Sequence, residues 1–254
     1  MVTAAGGCGL AAVVDHQDED AVAELVARIT KEKGHLDLLV NCVWGGDNKA
    51  QWGTAIDALD VGKGRAMLDQ AIVSHIITTK AMLPLLRLGT DPLVVEVTDG
   101  AGGFFRGALF YDLVKNAVIR LAFATAESLR ESSICAVAVT PGFLRSEAVL
   151  KHFGVTCETW RDAIATDPHF AHSETPIFVG RGIAALAALD ADAKAARNGR
   201  VFASWGLATE FGLTDTDGSV PNWGAHAADS DFGRDHAASH ARFLNAFPHQ
   251  PSPP

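Results

Sequence analysis

Short apolar runs alternate with longer segments of helical periodicity along most of this chain. Each run is short enough and apolar enough to be a buried strand. A strand, a helix and a second strand in that order require parallel pairing and a right-handed crossover. The alternation therefore predicts a three-layer α/β fold around a mostly parallel sheet. The runs are 10–15 (LAAVVD), 36–41 (LDLLVN), 92–98 (PLVVEVT), 134–140 (ICAVAVT) and 200–204 (RVFAS).

The segments between the runs have the periodicity of helices. From Val22, apolar residues recur at i, i+3, i+4 and i+7, with Asp18 as a candidate N-cap and Gly34 as a candidate stop. Pro84 is expected to kink a later helix near its C-terminal end. The further helical segments are expected over 60–88, 108–130, 147–166 and 176–189.

The composition changes near residue 213. Residues 213–254 are rich in Asp, His, Gly and Pro, whereas the alternation of strands and helices fills residues 1–212. We therefore expect one α/β domain over 1–212, followed by an irregular C-terminal extension over 213–254. The extension is expected to contain one short helix near 232–246 and to end in disordered residues.

The overall composition excludes several classes of protein. The 254 residues carry 21 basic and 30 acidic side chains, a formal charge of −9, which argues against nucleic acid or an anionic membrane as the partner. The chain has no uncharged apolar stretch long enough to span a bilayer, and its N-terminal residues lack the basic segment of a signal peptide. The four cysteines form no CxxC pair, which is typical of a reduced, cytoplasmic protein without a disulfide framework or a zinc site.

The chain contains one tyrosine, Tyr111, and Lys115 follows it at a spacing of four residues. On a helix these two side chains share a face, so the ammonium group lies about one turn from the phenol. A fixed cation favours the phenolate and lowers the pKa of the phenol from its ordinary value near ~10. Such a pair can transfer a proton while an alcohol and a carbonyl group interconvert. YxxxK alone is a weak pattern, because an ordinary helical tyrosine and lysine also fit it.

Several motifs occur in a fixed order around this pair. They are a strand ending in LVN at Asn41, the strand VVEVT followed by DGAGG, YDLVK at 111–115, and a strand closed by VTPGFLRSE. This order, over residues 10–205, resembles the short-chain dehydrogenase/reductase (SDR) family. The YDLVK and TPGFLRSEA segments are most similar to a divergent branch related to the dehydrogenase/reductase member-one proteins. The resemblance implies a Rossmann-like, doubly wound α/β fold that uses NADP or NAD.

The resemblance also implies roles for individual residues. Tyr111 is the expected catalytic acid/base, and Lys115 is expected to lower its pKa and to bond the nicotinamide ribose. The catalytic serine of the family falls on Asp99, with Thr98 directly before it. The residues expected to bind the cofactor are Asp15, His16, Asn41, Cys42, Val43, Lys115, Pro141, Gly142, Phe143, Leu144 and Ser146.

The chain departs from the family at its N-terminal end. The family opens with a strand and a TGxxxGxG loop, whose glycines let the backbone approach the cofactor pyrophosphate. Here GGCG at 6–9 precedes the run 10–15, which matches the third strand of the family. We therefore expect that the first two strands are missing, that the native protein begins upstream of Met1, and that cofactor binding is weakened or lost. The run 10–15 then either closes beside 36–41 or stays displaced and leaves apolar surface for a partner chain.

Two catalytic positions also depart from the family. An ionised Asp99 would raise the pKa of the phenol by like-charge repulsion, whereas a protonated Asp99 could donate a hydrogen bond. Thr98 could supply a hydroxyl group if the register differed by one residue. The asparagine of the family's proton relay falls on Ala71, where Ser74 or His75 are possible substitutes.

These observations leave three hypotheses for function. The leading one is an NAD(P)-dependent oxidoreductase acting on a small carbonyl compound or alcohol. By the resemblance, the lid region near 145–175 sets specificity, and an apolar pocket is suggested by Phe143, Leu144, Trp160 and Phe170. The alternative is a non-catalytic SDR-like scaffold or oligomer partner that has lost cofactor binding. The third is a metal-binding tail, for which a solvated helix face is the simpler explanation of its histidines. By the resemblance, a homo-oligomer forms through the helices at 60–88 and 108–130. The histidines of the tail are His226, His236, His240 and His249.

Overall fold

A computed structural model of the chain describes residues 2–247. Four strands form one sheet in the order β1-β2-β3-β4, and every neighbouring pair is parallel. This arrangement confirms the Rossmann-like α/β fold with a parallel sheet. The strands are β1 (Leu38–Asn41), β2 (Leu93–Val97), β3 (Cys135–Thr140) and β4 (Val201–Ala203).

Helices connect and flank these strands. In the described part of the chain they are α1 (Glu19–Glu32), α2 (Val61–Leu68), α3 (Ser74–Leu86), α4 (Leu109–Ser128), α5 (Glu147–His152), α6 (Pro176–Ala187), α7 (Ala191–Ala195), α8 (Ser204–Phe211), α9 (Trp223–Asp229) and α10 (Asp231–Asn245). None of these helices is long and apolar enough to cross a membrane.

The long helix expected over 60–88 is divided. α2 and α3 are joined by a π-helical turn over Asp69–Val73, and Pro84 lies inside α3, which continues to Leu86. The helix expected over 147–166 is shorter than predicted, because α5 ends at His152. It is followed by 3₁₀ turns over Trp160–Ala165 and Pro168–His172.

The strand expected over 10–15 was a wrong prediction. These residues form no strand, and the side chains of Leu10 and Val13 are 56% and 106% exposed. An apolar run becomes a strand only when a neighbour takes its backbone N–H and C=O groups. Within the described residues β1 is an edge strand paired with β2 alone, and residues 10–15 form no ladder with its open edge. Residues 10–15 therefore do not close beside 36–41. They stay displaced from the sheet, which was the second arrangement expected from the sequence.

The core lies on both faces of the sheet. Along β2, Leu93 and Val95 point to a cluster with residues of α6 and α8, such as Ile183 and Leu207. Val94, between them, points to the opposite cluster, which includes residues of α1, α3 and α4. This alternation follows from the two-residue period of a strand and produces the three-layer architecture.

The C-terminal extension contains two helices, α9 and α10, where the sequence predicted one. The helix expected near 232–246 corresponds to α10. α9 is too short for its periodicity to be recognised, and Asn222 caps it by accepting a hydrogen bond from the Ala225 amide at 2.9 Å. The last residues, including His249, lie outside the described part of the chain.

Candidate active site

One cavity of about 980 Å³ lies at the carboxyl ends of the parallel strands. In open α/β sheets this edge is where ligands bind, because the loops that follow the strands meet there. The lining includes Cys42 and Val43 after β1, Thr98 and Asp99 after β2, and five residues after β3. These five are Pro141, Gly142, Phe143, Leu144 and Ser146, so the segment expected to run beside the nicotinamide does line the cavity.

Tyr111 stands in the first turn of α4 and reaches into the cavity. Its hydroxyl group donates a hydrogen bond to Oδ2 of Asp99 at 2.7 Å. The rings of Trp44 and Trp52 pack against the phenol, with centroid separations of 5.4 and 4.9 Å. The phenol is therefore enclosed by two indoles and one carboxyl group.

This environment raises the pKa of Tyr111 well above its ordinary value. Burial makes the largest contribution, and the negative charge and hydrogen bond of Asp99 add to it. The direction is opposite to the one expected from Lys115, and it agrees with the like-charge repulsion expected from Asp99. At neutral pH Tyr111 is a neutral phenol, which can donate a proton.

Lys115 lines the same cavity, one turn along α4 from Tyr111. Its Nζ atom lies 3.9 Å from the centre of the Trp44 ring and 5.4 Å from the centre of the Tyr111 ring. Burial lowers the pKa of the ammonium group, and the charge of Asp99 partly opposes this shift. The cation thus lies over an indole face, and the negative charge of Asp99 favours its protonated form.

Thr98 connects β2 to α4. Its hydroxyl group donates a hydrogen bond to the backbone carbonyl of Lys115 at 2.8 Å, and the residue is only 3% exposed. The hydroxyl proton is therefore already engaged in the protein. Asp99, and not Thr98, places a side-chain oxygen beside the phenol.

Arg106 fixes the loop that carries Asp99, a role that the sequence did not reveal. Its Nε atom donates to the carbonyl of Asp99 at 2.7 Å, and its two terminal nitrogens donate to Asp112 at 3.0 Å and to the carbonyl of Gly102 at 3.1 Å. A guanidinium group can organise a loop in this way because its donors form a rigid fork. The loop after β2 is consequently tied to the first turn of α4.

A buried polar network lies behind the cavity. His75 contacts Oε2 of Glu96 at 2.7 Å through Nδ1 and the carbonyl of Val43 at 3.1 Å through Nε2. The amide of Asn41 donates to Oε1 of Glu96 at 2.7 Å and to Thr79 at 2.9 Å. The side chain of Asn41 is therefore engaged within the protein, whereas His75 also lines the cavity.

The position of the relay asparagine, Ala71, and its proposed substitute Ser74 lie in different places relative to the cavity. Ala71 lies in the π-helical turn, is 2% exposed and lines the cavity. Ser74 donates to the carbonyl of Gln70 at 2.5 Å and does not line the cavity. π-Helical turns occur frequently at functional sites, which fits the position of this one.

Asp15 and His16, expected at the adenine end of the cofactor, do not line the cavity. Oδ1 of Asp15 accepts a hydrogen bond from the Gln17 amide at 2.9 Å. Nδ1 of His16 lies 2.8 Å from the hydroxyl oxygen of Thr78 on α3. The structure therefore brings together the expected nicotinamide-side residues and leaves these two apart from them.

Glu174 holds the loop after β3 in place through a hydrogen bond to its backbone. The carboxylate accepts hydrogen bonds from the amide of Gly142 at 3.0 Å and the hydroxyl of Ser204 at 2.6 Å. Burial raises the pKa of Glu174 to about 7. Position 142 requires glycine because a Cβ atom there would lie 2.5 Å from Cβ of Trp223.

His236 and His240 do not form the solvated helix face that was expected. The His236 ring stacks on Phe104 at 4.0 Å, and Nδ1 of His240 accepts a hydrogen bond from the amide of Gly103 at 2.9 Å. The described residues contain no group of three or more His, Cys, Asp or Glu side chains placed to hold a metal ion. Only the interleaving of aromatic and small residues in NWGAHAA could have indicated that this segment packs against another part of the protein.

Comparison with known proteins gives one consistent family. The sequence model of short chain dehydrogenases matches residues 2–153. Dehydrogenase/reductase SDR family member 1 of Mus musculus is 29% identical over 224 residues, which are 84% of this chain and 69% of that protein.

Solved structures of the same kind share the fold. A short chain dehydrogenase from Mycobacterium thermoresistibile superimposes with a TM-score of 0.69 at 19% identity, over 87% of this chain and 73% of that one. The NADPH-bound carbonyl reductase from chicken fatty liver gives a TM-score of 0.57 at 18% identity, over 76% and 73% of the two chains.

Proposed function

Because the chain belongs to the short-chain dehydrogenase/reductase family, we propose that it is an oxidoreductase that interconverts a small carbonyl compound and an alcohol with NADP or NAD. One observation carries the proposal. Tyr111, Lys115 and Asp99 converge on a single cavity, beside the loop after β3. The cofactor, when bound, supplies or accepts the hydride at the substrate carbon.

The described residues fit the nicotinamide half of such a cofactor. The cavity is lined by Lys115 together with Pro141, Gly142, Phe143, Leu144 and Ser146. They do not provide a phosphate cradle. The glycines at 6–9 are exposed, and α1 begins with Asp18, Glu19 and Asp20, whose charges oppose a phosphate at that helix end.

The proton chemistry follows from the Tyr111–Asp99 pair. During reduction, the neutral phenol donates its proton to the substrate oxygen while a proton carried by Asp99 passes back to Tyr111, and Lys115 and Arg106 offset the negative charge that develops in the site. During oxidation, Tyr111 accepts the proton of the alcohol while its own proton passes across the 2.7 Å hydrogen bond to Asp99. Asp99 thus replaces the serine hydroxyl of the family with a proton acceptor.

Binding of cofactor to the full chain tests the proposal. Calorimetric titration with NADPH and with NADH should give one site per chain for at least one of them. NADPH is the first choice because a structural neighbour binds it. Lys115→Ala should weaken that binding, whereas Lys49→Ala, outside the cavity, should leave it unchanged. Absence of binding at millimolar concentrations of both would contradict the proposal.

A further inference from the structure

One wall of the cavity is formed by the C-terminal extension, which has no part in the chemistry described above. We call residues 222–240 the C-terminal cover. This segment is fully within the described part of the chain and includes α9 and the first ten residues of α10. Its contributions to the lining are Trp223, Gly224, Ala227, Ala228, Phe232, Gly233 and His236.

The cover is attached to the loop after β3 through Trp223. The Trp223 side chain packs directly on Gly142, and its ring lies 5.7 Å from that of Phe143. Gly224 approaches Trp205 so closely that a Cβ atom there would lie 2.3 Å from the indole nitrogen. These contacts place an indole beside the segment expected to run along the nicotinamide.

The cover is attached to the loop after β2 at its other end. His240 and Ser239 accept hydrogen bonds from the amides of Gly103 and Phe105 at 2.9 and 3.0 Å. His236 stacks on Phe104 at 4.0 Å and contacts Phe232, with ring centroids 3.9 Å apart. The cover therefore bridges the two loops that carry Asp99 and Gly142.

The chemistry of this wall differs from that of the cavity floor. The cover contributes two large aromatic rings, one imidazole and four small residues to the lining, and no acidic or basic chain other than the imidazole. Small residues between the rings leave room for a ligand against the aromatic faces. Two basic side chains line the rest of the cavity. The guanidinium group of Arg106 is engaged in hydrogen bonds with Asp99 and Asp112, and the ammonium group of Lys115 lies over the Trp44 ring.

We propose that the C-terminal cover selects the substrate, with Trp223 and Phe232 as the specificity-determining residues. The two rings contact an uncharged, apolar part of the substrate, while Tyr111 and Asp99 face the reacting oxygen. This inference rests on the proposed function because it takes the cavity to be the place of reaction. Its test uses binding, which requires neither cofactor nor turnover.

The probe is prodan, an uncharged aromatic ketone whose emission moves to the blue in apolar surroundings. The full chain should bind it with a saturable blue shift. Trp223→Ala and Phe232→Ala should each weaken binding by about tenfold or more, because buried aromatic contacts dominate such sites. Phe247→Ala is the matched control, since Phe247 is 65% exposed, does not line the cavity and should leave binding unchanged.

A second variant keeps the test decisive if Trp223→Ala destabilises the fold. Ala228 lines the cavity from the exposed side of α9, so Ala228→Trp should fill the space and weaken binding without loss of helix content. Prodan binding that is absent in the parent chain, or equal in the parent and all cover variants, would overturn the inference. If the cover variants weaken prodan binding and the parent chain binds neither NADPH nor NADH, the inference about the C-terminal cover is upheld and the proposed function is refuted.

Discussion

The hydroxyl group of Tyr111 donates a 2.7 Å hydrogen bond to Asp99 at the floor of the cavity. The partner of the phenol is thus a carboxyl group, while the ammonium group of Lys115 lies over the ring of Trp44. The resting state is a neutral phenol beside a proton acceptor, and it differs from the phenolate that a cation alone would favour. This relationship determines the direction of the acid–base predictions.

Tyr111 should ionise only well above its ordinary pKa of 10. Because it is the single tyrosine, tyrosinate absorbance during a pH titration reports on this residue alone. Asp99→Asn removes the negative charge and should lower the titration midpoint by about one unit or more. Asp47→Asn, at another cavity residue, should have a smaller effect. A parent midpoint at or below 10 would contradict the account.

The stability of the fold should depend on the ionisation of Glu174. Its pKa is about 7 in the fold and 4.5 when exposed, so the folded state binds more protons between these values. Stability contributed by this group is present below pH 4.5 and is lost as pH rises towards 7. Glu174→Gln should remove this dependence, which amounts to about 3 kcal/mol. Denaturant unfolding at several pH values measures the free energy of unfolding, and Glu131→Gln, at an exposed glutamate, is the control. The prediction is refuted if this free energy changes with pH in the same way in the parent and in Glu174→Gln.

α9 should detach in acid. Nε2 of His226 lies 2.8 Å from Nδ1 of His169, and the ring of His172 stacks on that of His226 with centroids 4.0 Å apart. Burial, followed by these two histidines, lowers the pKa of His226 below 6.5, while Asp167 and Asp229 oppose the shift. The folded state therefore binds fewer protons, and docking weakens as pH falls below 6.5.

Hydrogen exchange of the α9 amides measures this detachment. After correction for intrinsic rates, protection should fall between about pH 8 and about pH 5. His226→Asn should reduce the pH dependence of protection. His35→Asn, a histidine substitution in the N-terminal part of the chain and outside the C-terminal cover, should leave it unchanged. Equal protection of the parent chain at both pH values would show that these histidines do not hold α9.

We expect the chain to form a homo-oligomer through the helices within 60–88 and 108–130. Apolar side chains are exposed there, with Ile76 46%, Leu113 47% and Phe123 39% accessible. Leu113→Lys combined with Phe123→Lys should lower the mass found by light scattering to that of one chain, because charges would be buried in the interface. Val220→Lys, exposed outside these helices, is the control. A parent chain that is already monomeric would contradict this expectation.

Local patterns predicted the parts of the fold that depend on neighbours in sequence. The strand cores and α4 follow from apolar periodicity, and the spacing of Tyr111 and Lys115 places both in one cavity. The run 10–15 shows the limit of this reasoning, because a strand also requires a pairing partner that composition does not reveal.

The contacts that define the site depend on residues far apart in sequence. Trp44 contacts Tyr111, and Trp223 packs on Gly142. The partners in each pair are many residues apart in sequence, so the local periodicity of apolar residues does not predict these contacts. The extension was expected to be irregular because its composition is polar and rich in glycine. Its burial is concentrated in a few aromatic and histidine contacts with the loops around the cavity.

The most direct test of the central claim is turnover by the parent chain and by Tyr111→Phe. Oxidation of NADPH or NADH is followed by absorbance with a panel of uncharged aromatic ketones, and the reverse reaction with the matching alcohols. The variant keeps the aromatic ring between Trp44 and Trp52 and loses only the hydroxyl that contacts Asp99. The account predicts cofactor-dependent turnover by the parent and a loss of about 100-fold or more in the variant. Equal turnover by both proteins would contradict it.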